Sequence, residues 1–246
     1  MNESIDLSRT KLGADEKASV EAFCEALRNT SNVNLQSITL YGSAAREDYR
    51  PGKSDINLLV VLEQIDVTIL KNVLDPVARG RRYGIAPFFI TERNLRSSAD
   101  VFPVKFLSMQ ESYHVLCGRD FLKDLKIGRE HLRLRCEQEI KNLLLRLRRQ
   151  YIMGGGQRLT EIMSRMIVGF LETLRAVLSL TQESLPSREE VIDTAAKAFG
   201  FDAEVLKNVR AQHDLDVSLS RDEAEQLYDK FMAIVDKIAQ ITDQMK

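Results

Sequence analysis

Cysteine is scarce: three in 246 residues, at Cys24, Cys117 and Cys136, with no paired spacing that would build a zinc site or a disulfide framework. Reduced core thiols are the expectation. Neither sign of charge dominates, since 35 Lys and Arg face 36 Asp and Glu, so no global field draws the chain to nucleic acid. The run from Leu145 to Gln150, "LRLRRQ", is locally basic and reads as a solvated helix face. No apolar run approaches the ~20 residues that cross a bilayer. The opening "MNESIDLSRTKLG" lacks the apolar stretch of a signal peptide, so a cytoplasmic protein with no membrane partner is expected. The three histidines, His114, His131 and His213, stand far apart and near no cysteine or carboxylate at ligand spacing; they read as structural or surface residues. Internal repeats and low-complexity segments are also missing.

What remains is an ordinary globular composition, 44% hydrophobic and 29% charged, in a chain long enough for two cores. Its character changes near residue 125. Before that point, "SITLY" (37–41), "INLLVVL" (56–62), "IAPFFIT" (85–91) and "FPVKFLSM" (102–109) read as strands among helix-like and turn-rich segments. Val20, Phe23 and Leu27 share one face of a first helix. Asp66 is placed to cap a helix from Val67, and Pro76 restarts or kinks it. After that point the apolar spacing is helical. Leu132, Cys136, Ile140, Leu143, Leu147 and Tyr151 recur every three or four residues until glycines 154–156 break the run, and Leu159 to Val177 carry a second stripe. Ser187 with Glu190 and Ser220 with Glu223 form capping-box patterns that open two more helices; Gly200 ends the first of these, and the second runs along Leu227, Phe231, Ile234, Ile238 and Ile241. The fold class is therefore α+β: a mixed-sheet domain over residues 1–125 and an all-α bundle over 126–246. Those stripes would also allow a homo-oligomer through the helical half.

The chemistry is concentrated in "ITLYGSAAREDYRPGKSDINLLVV" from position 38. An apolar run ends in Gly42-Ser43, and after eleven intervening residues Asp55-Ile56-Asn57 opens a second apolar run. A strand that ends in Gly-Ser and enters a helix offers free amides and a favourable dipole to a phosphate. Gly42 lets the backbone approach and Ser43 donates a hydroxyl; Arg46 and Ser54 flank the same segment. Asp55 and Asn57 fall on one strand face because side chains alternate with a period of two. Two carboxylates so placed would share Mg²⁺ with nucleotide phosphates.

In this order and spacing the segment resembles the signature of the nucleotidyltransferase superfamily, the DNA polymerase beta-like group with its antibiotic-modifying and minimal members. That signature is an apolar residue, Gly, Gly or Ser, a gap of this length, then Asp, an apolar residue, and Asp or Glu. The resemblance implies Mg²⁺ and a nucleoside triphosphate as cofactors, a small-molecule or protein acceptor, a third carboxylate on a later strand, and a helical C-terminal half. Asn57 stands where the second acid belongs. The third position falls on Lys105 if 102–109 is the later strand, or on Ala86 if 85–91 is. Metal binding at Asp55 is then expected to be weak, and Lys105 would pair with Asp55 or a phosphate.

Three functions follow. The first is a degenerate nucleotidyltransferase-like protein that binds a nucleotide or partner. The second is an active Mg²⁺-dependent enzyme using Asp55 and Asn57, with Glu161 or Glu172 as candidate bases that read more simply as solvated glutamates. The third is a helical interaction module with a relic α/β domain. Arg79, Arg81 and Arg82 read as a solvated helix end. No Arg precedes a histidine at the spacing of the ribonucleases that partner minimal nucleotidyltransferases, which disfavours that role.

Overall fold

The computed structural model describes residues 5–10, 12–30, 34–46, 49–52, 54–181, 186–215 and 219–245. The chain forms two compact units, Met1–Ile127 and Gly128–Lys246. The first unit contains α1 (Ala14–Asn29), β1 (Leu35–Tyr41), β2 (Ile56–Leu62), α2 (Val67–Asn72), α3 (Leu74–Arg81), β3 (Ile85–Thr91), α4 (Glu92–Ser97), α5 (Pro103–Glu111) and β4 (Tyr113–Gly118). The strands form one mixed sheet in the order β3-β2-β1-β4, in which only β2 and β3 run parallel. A parallel pair needs a crossover, and α2 with α3 supplies it.

Strand alternation sorts the core into two layers. Ile38, Leu40, Ile56, Leu58, Val60 and Ile85 pack with Val20, Phe23 and Leu27 of α1 on one face. Leu59, Val61 and Ile90 pack on the other with Leu95 of α4 and Phe106 and Met109 of α5. Because the sheet is covered on both faces, β2 is a continuous apolar run rather than an alternating one. Asp66 accepts the Ile69 amide at 2.8 Å and starts α2, while the chain restarts at Leu74 with Pro76 in the first turn of α3.

The expected strand at 102–109 is instead α5. Proline at its first position pre-sets the helical φ, and the buried residues Pro103, Phe106 and Met109 recur every three residues, not every two. The fourth strand is the next segment, Tyr113–Gly118, antiparallel to β1.

The second unit contains α6 (Arg129–Gly154), α7 (Leu159–Ser179), α8 (Val191–Phe199), α9 (Ala203–Leu215) and α10 (Arg221–Gln244), with no strand among its described residues. The buried stripe of α6 is the one its spacing sets out, from Leu132 to Leu147, although Tyr151 is left exposed at the helix end. Phe170 of α7 meets Phe231 of α10 edge to face at 5.6 Å, and the Tyr228 hydroxyl donates to the Leu147 carbonyl at 2.8 Å. No helix among the described residues is long and apolar enough to cross a membrane.

Ser220 and Glu223 satisfy each other's orphan groups at the start of α10, and these bonds hold the Glu223 carboxyl below its ordinary pKa. A depressed folded pKa gives stability that is present above the unfolded value and is lost as pH falls through the folded one. Ser220→Ala is therefore expected to lower the thermal midpoint by about 3 °C at neutral pH. The deficit should shrink in acid as Glu223 protonates in both proteins. A deficit that grows below pH 4 would contradict this reading of the box.

Candidate nucleotide site

The two halves of the motif meet at one end of the sheet. β1 ends at Tyr41, opposite Asn57 of β2. Gly42 follows with φ +78°, and a Cβ added there would sit 3.3 Å from the Asn57 Nδ2. The turn therefore closes directly onto Asn57, and a side chain at position 42 would have both strain and crowding against it. The residues after it, Gly42–Ala45, make a single 3-10 turn in which the Arg46 amide donates to the Ser43 carbonyl at 2.9 Å. The expectation of a helix with a dipole aimed at phosphate is thus corrected, because four residues of 3-10 turn carry no macrodipole of consequence. Ser43 and Arg46 are half-buried beside this turn.

On the other side, Arg50 and Ser54 close a loop into β2: the Ser54 amide donates to the Arg50 carbonyl at 2.9 Å, and the Arg50 amide donates to the Ser54 hydroxyl at 3.3 Å. Asp55 follows and is exposed. Asn57 is half-buried and its Nδ2 donates to the Asp55 carbonyl at 3.5 Å.

The register names the residue beside Asn57. β2 and β3 run parallel with Asn57 opposite Ala86, so Ala86, Asn57, Tyr41 and Tyr113 form one row across all four strands. Between the two alternatives for the third position, Lys105 lies on α5 rather than on a strand, and Ala86 is the strand neighbour. Lys105 is close by nonetheless. Its Nζ lies 3.6 Å from the centroid of Phe88, two residues along β3 from Ala86, where alternation returns the side chain to the same face. The helix that carries it is tied to the glycine turn, since the Ser112 hydroxyl at its C-terminus donates to the Ala45 carbonyl at 2.9 Å. Partial burial pushes the Lys105 pKa below the ordinary lysine value.

Sequence reasoning did not pick out Phe88, Tyr41 or Tyr113. Their signal was parity, since position 88 shares a face with 86, but only with the strand pairing in hand. Burial raises the pKa of Tyr41, and burial with a 3.0 Å hydrogen bond to Asp120 raises that of Tyr113 to about 12, so both are neutral phenols.

The donor set of the row does not fit Mg²⁺. A hard cation that gives up water needs several charged oxygens, and here there is a carboxylate at Asp55, an amide at Asn57 and a methyl at Ala86. Among the described residues no group of three His, Cys, Asp or Glu side chains could hold a metal.

Glu161 pairs with Arg165 one turn on, and Glu172 accepts from Arg188 at 2.9 Å. His131 and His213 are exposed on α6 and α9, and His114 is on β4 opposite Leu40. Arg79, Arg81 and Arg82 are exposed at the end of α3. Cys24, Cys117 and Cys136 are buried free thiols.

A mixed four-stranded sheet whose glycine turn faces the next strand, followed by a helical unit, is a nucleotidyltransferase-like fold. Among solved structures, the spectinomycin adenyltransferase AAD(9) from Enterococcus faecialis, crystallised with ATP and spectinomycin, is similar over 89% of this chain and 99% of its own, with a TM-score of 0.53 and 11% identity. That likeness shows the fold. No family model matches the chain, and no curated protein does.

Proposed function

We propose that this chain is a nucleotide-binding protein built on the nucleotidyltransferase fold, in which the transfer chemistry has been lost. The observation that carries the reading is the Asn57–Ala86 pair: the two strand positions flanking the site in register hold an amide and a methyl. Phosphoryl transfer of this type depends on metal charge held against the triphosphate, and a single carboxylate at Asp55 leaves that charge without its ligands. The grip on the nucleotide is a separate function. It falls to the Gly42 turn, the Ser43 hydroxyl, Arg46, Ser54 and Lys105, and the ATP held by the similar spectinomycin adenyltransferase makes a nucleotide the natural ligand class.

Titrating the purified chain calorimetrically with ATP, GTP, CTP and UTP tests this. Binding of at least one is expected, without release of pyrophosphate. Ser43→Ala should weaken it about fivefold to tenfold, the worth of one hydrogen bond to a charged oxygen. Binding accompanied by robust Mg²⁺-dependent transfer would instead favour an active enzyme with Asn57 as a working ligand. No binding of any nucleotide would leave the helical unit as an interaction module and the α/β unit as its relic.

A further inference from the structure

The misfit between this donor set and Mg²⁺ has a counterpart in Lys105. An ammonium stands on the sheet face where two family carboxylates are missing, 3.6 Å over the Phe88 ring and one pleat along from Ala86. No carboxylate among the described residues pairs with it. The face of an aromatic ring supplies only a weak attraction to a cation compared with a paired anion. Lys105 is exposed, and its ammonium, held over the Phe88 ring, can pair with an anion that arrives at the site. Burial has already moved the Lys105 pKa down, as expected of a cation that lacks its anion. The Ser112–Ala45 hydrogen bond holds the helix of Lys105 against the same turn that carries Ser43 and Arg46.

We propose that Lys105 takes the place of the metal, so that the site binds a nucleoside triphosphate free of Mg²⁺, with the ammonium against the phosphate chain. This rests on the nucleotide-binding reading above and sharpens it to a sign. In a site built from carboxylates, Mg²⁺ bridges protein and ligand and strengthens binding. Here Mg²⁺ removes about two negative charges from the polyphosphate and finds too few ligands on the protein, so it competes with Lys105 instead of bridging. A monophosphate, with fewer charges to offer, is the poorer ligand.

Calorimetric titration of the full chain with ATP, first in EDTA and then in excess MgCl₂, reads the sign directly. The dissociation constant is expected to rise severalfold when Mg²⁺ is added, and AMP in EDTA should bind at least tenfold more weakly than ATP. Lys105→Ala should weaken metal-free ATP binding about tenfold or more and abolish the Mg²⁺ effect, while Lys105→Arg preserves both the affinity and its sign. Circular dichroism melts of each variant check that the fold is retained. Tighter binding in Mg²⁺, or a Lys105→Ala protein that binds ATP as the parent does, would overturn the proposal and leave nucleotide binding standing. Absence of binding in both buffers would remove the nucleotide reading itself.

Discussion

Asn57→Asp with Ala86→Glu and Lys105→Ala should turn a site whose donor set does not fit Mg²⁺ into one that binds it, and should release pyrophosphate from ATP at a rate the parent chain does not approach. The argument runs from register. Positions 57 and 86 are strand neighbours, so two carboxylates placed there project together on Asp55's side of the sheet end. Each added charge raises affinity for a hard cation, on the order of tenfold per ligand when the geometry permits. Removing the Lys105 ammonium lifts the repulsion over Phe88. Asp55, with acids at 57 and 86, would hold the metal, whose charge would favour attack of water on the α-phosphorus, the proton passing to solvent as the bond to the bridging oxygen breaks and pyrophosphate leaves.

The single variants separate the contributions. Asn57→Asp alone is expected to raise Mg²⁺ affinity with little or no turnover, since the neighbouring position still carries a methyl. Ala86→Glu alone should be drawn to Lys105 and pair with it, which makes it a poor metal ligand. Mg²⁺-dependent pyrophosphate release above 10²-fold over the parent is the expected outcome for the triple variant, a modest share of what positioned metal supplies in phosphoryl transfer. A triple variant that binds Mg²⁺ yet stays inert would place the missing machinery elsewhere than these positions. Comparable release by the unmodified chain would end the degenerate reading altogether.

Much of this was legible from residues alone. Glycine followed by serine at the end of an apolar run, with Asp55 and Asn57 opening the next, marked a turn that the fold brings beside Asn57, because the period of two and a positive-φ turn are local properties. The switch to helical spacing after residue 125 was equally local, and so were the caps at Asp66 and Ser220. What failed depended on partners distant in sequence. Residues 102–109 read as a strand because their apolar content suits either element, and the burial of Phe106 and Met109 against Leu59 and Ile90 decides for the helix. The same error placed Lys105 on a strand and left Tyr113–Gly118 unassigned, a short segment whose strand character comes from pairing with β1. Helix α9, between the end of α8 and Ser220, was not singled out although Asp202 caps it by accepting the Glu204 amide at 3.0 Å, and its buried Val205, Leu206 and Val209 follow from packing on α7 and α10. The position of a third acid was left between Lys105 and Ala86, and the pairing of β2 with β3 puts Ala86 beside Asn57.

Gly118→Ala is expected to have the largest effect on stability of any single methyl added to the sheet. Gly118 ends β4 with φ +81°, and a Cβ there would lie 2.0 Å from the Gln36 carbonyl oxygen and 2.9 Å from the Ser37 Cα. Both are backbone of β1, so no side-chain rotation relieves the overlap. The pairing leaves no slack either: Gly118 stands opposite Ser37, and the register already shifts between Ile38 and Thr39 to accommodate this edge. The left-handed conformation alone costs a β-carbon about 1 kcal/mol, and displacing β1 or β4 adds to it, for a total of about 3 kcal/mol or more. Against a domain's usual 5–15 kcal/mol that is a large fraction. Gly52→Ala is the control, because Gly52 also has a positive φ, +74°, but a Cβ there meets nothing within 4 Å. Thermal or urea melts of the two variants should therefore separate strain from overlap, with Gly52→Ala shifted slightly and Gly118→Ala severely. The loss has a functional edge, since β4 begins at Tyr113, which pairs with Tyr41 in the row that holds Asn57. A strand that detaches at Gly118 loosens that row, so ATP affinity should fall at temperatures below the main transition, where Gly52→Ala binds normally. Equal midpoints for the two variants would mean that the β1–β4 edge yields to the methyl, and that the row at Asn57 does not depend on it.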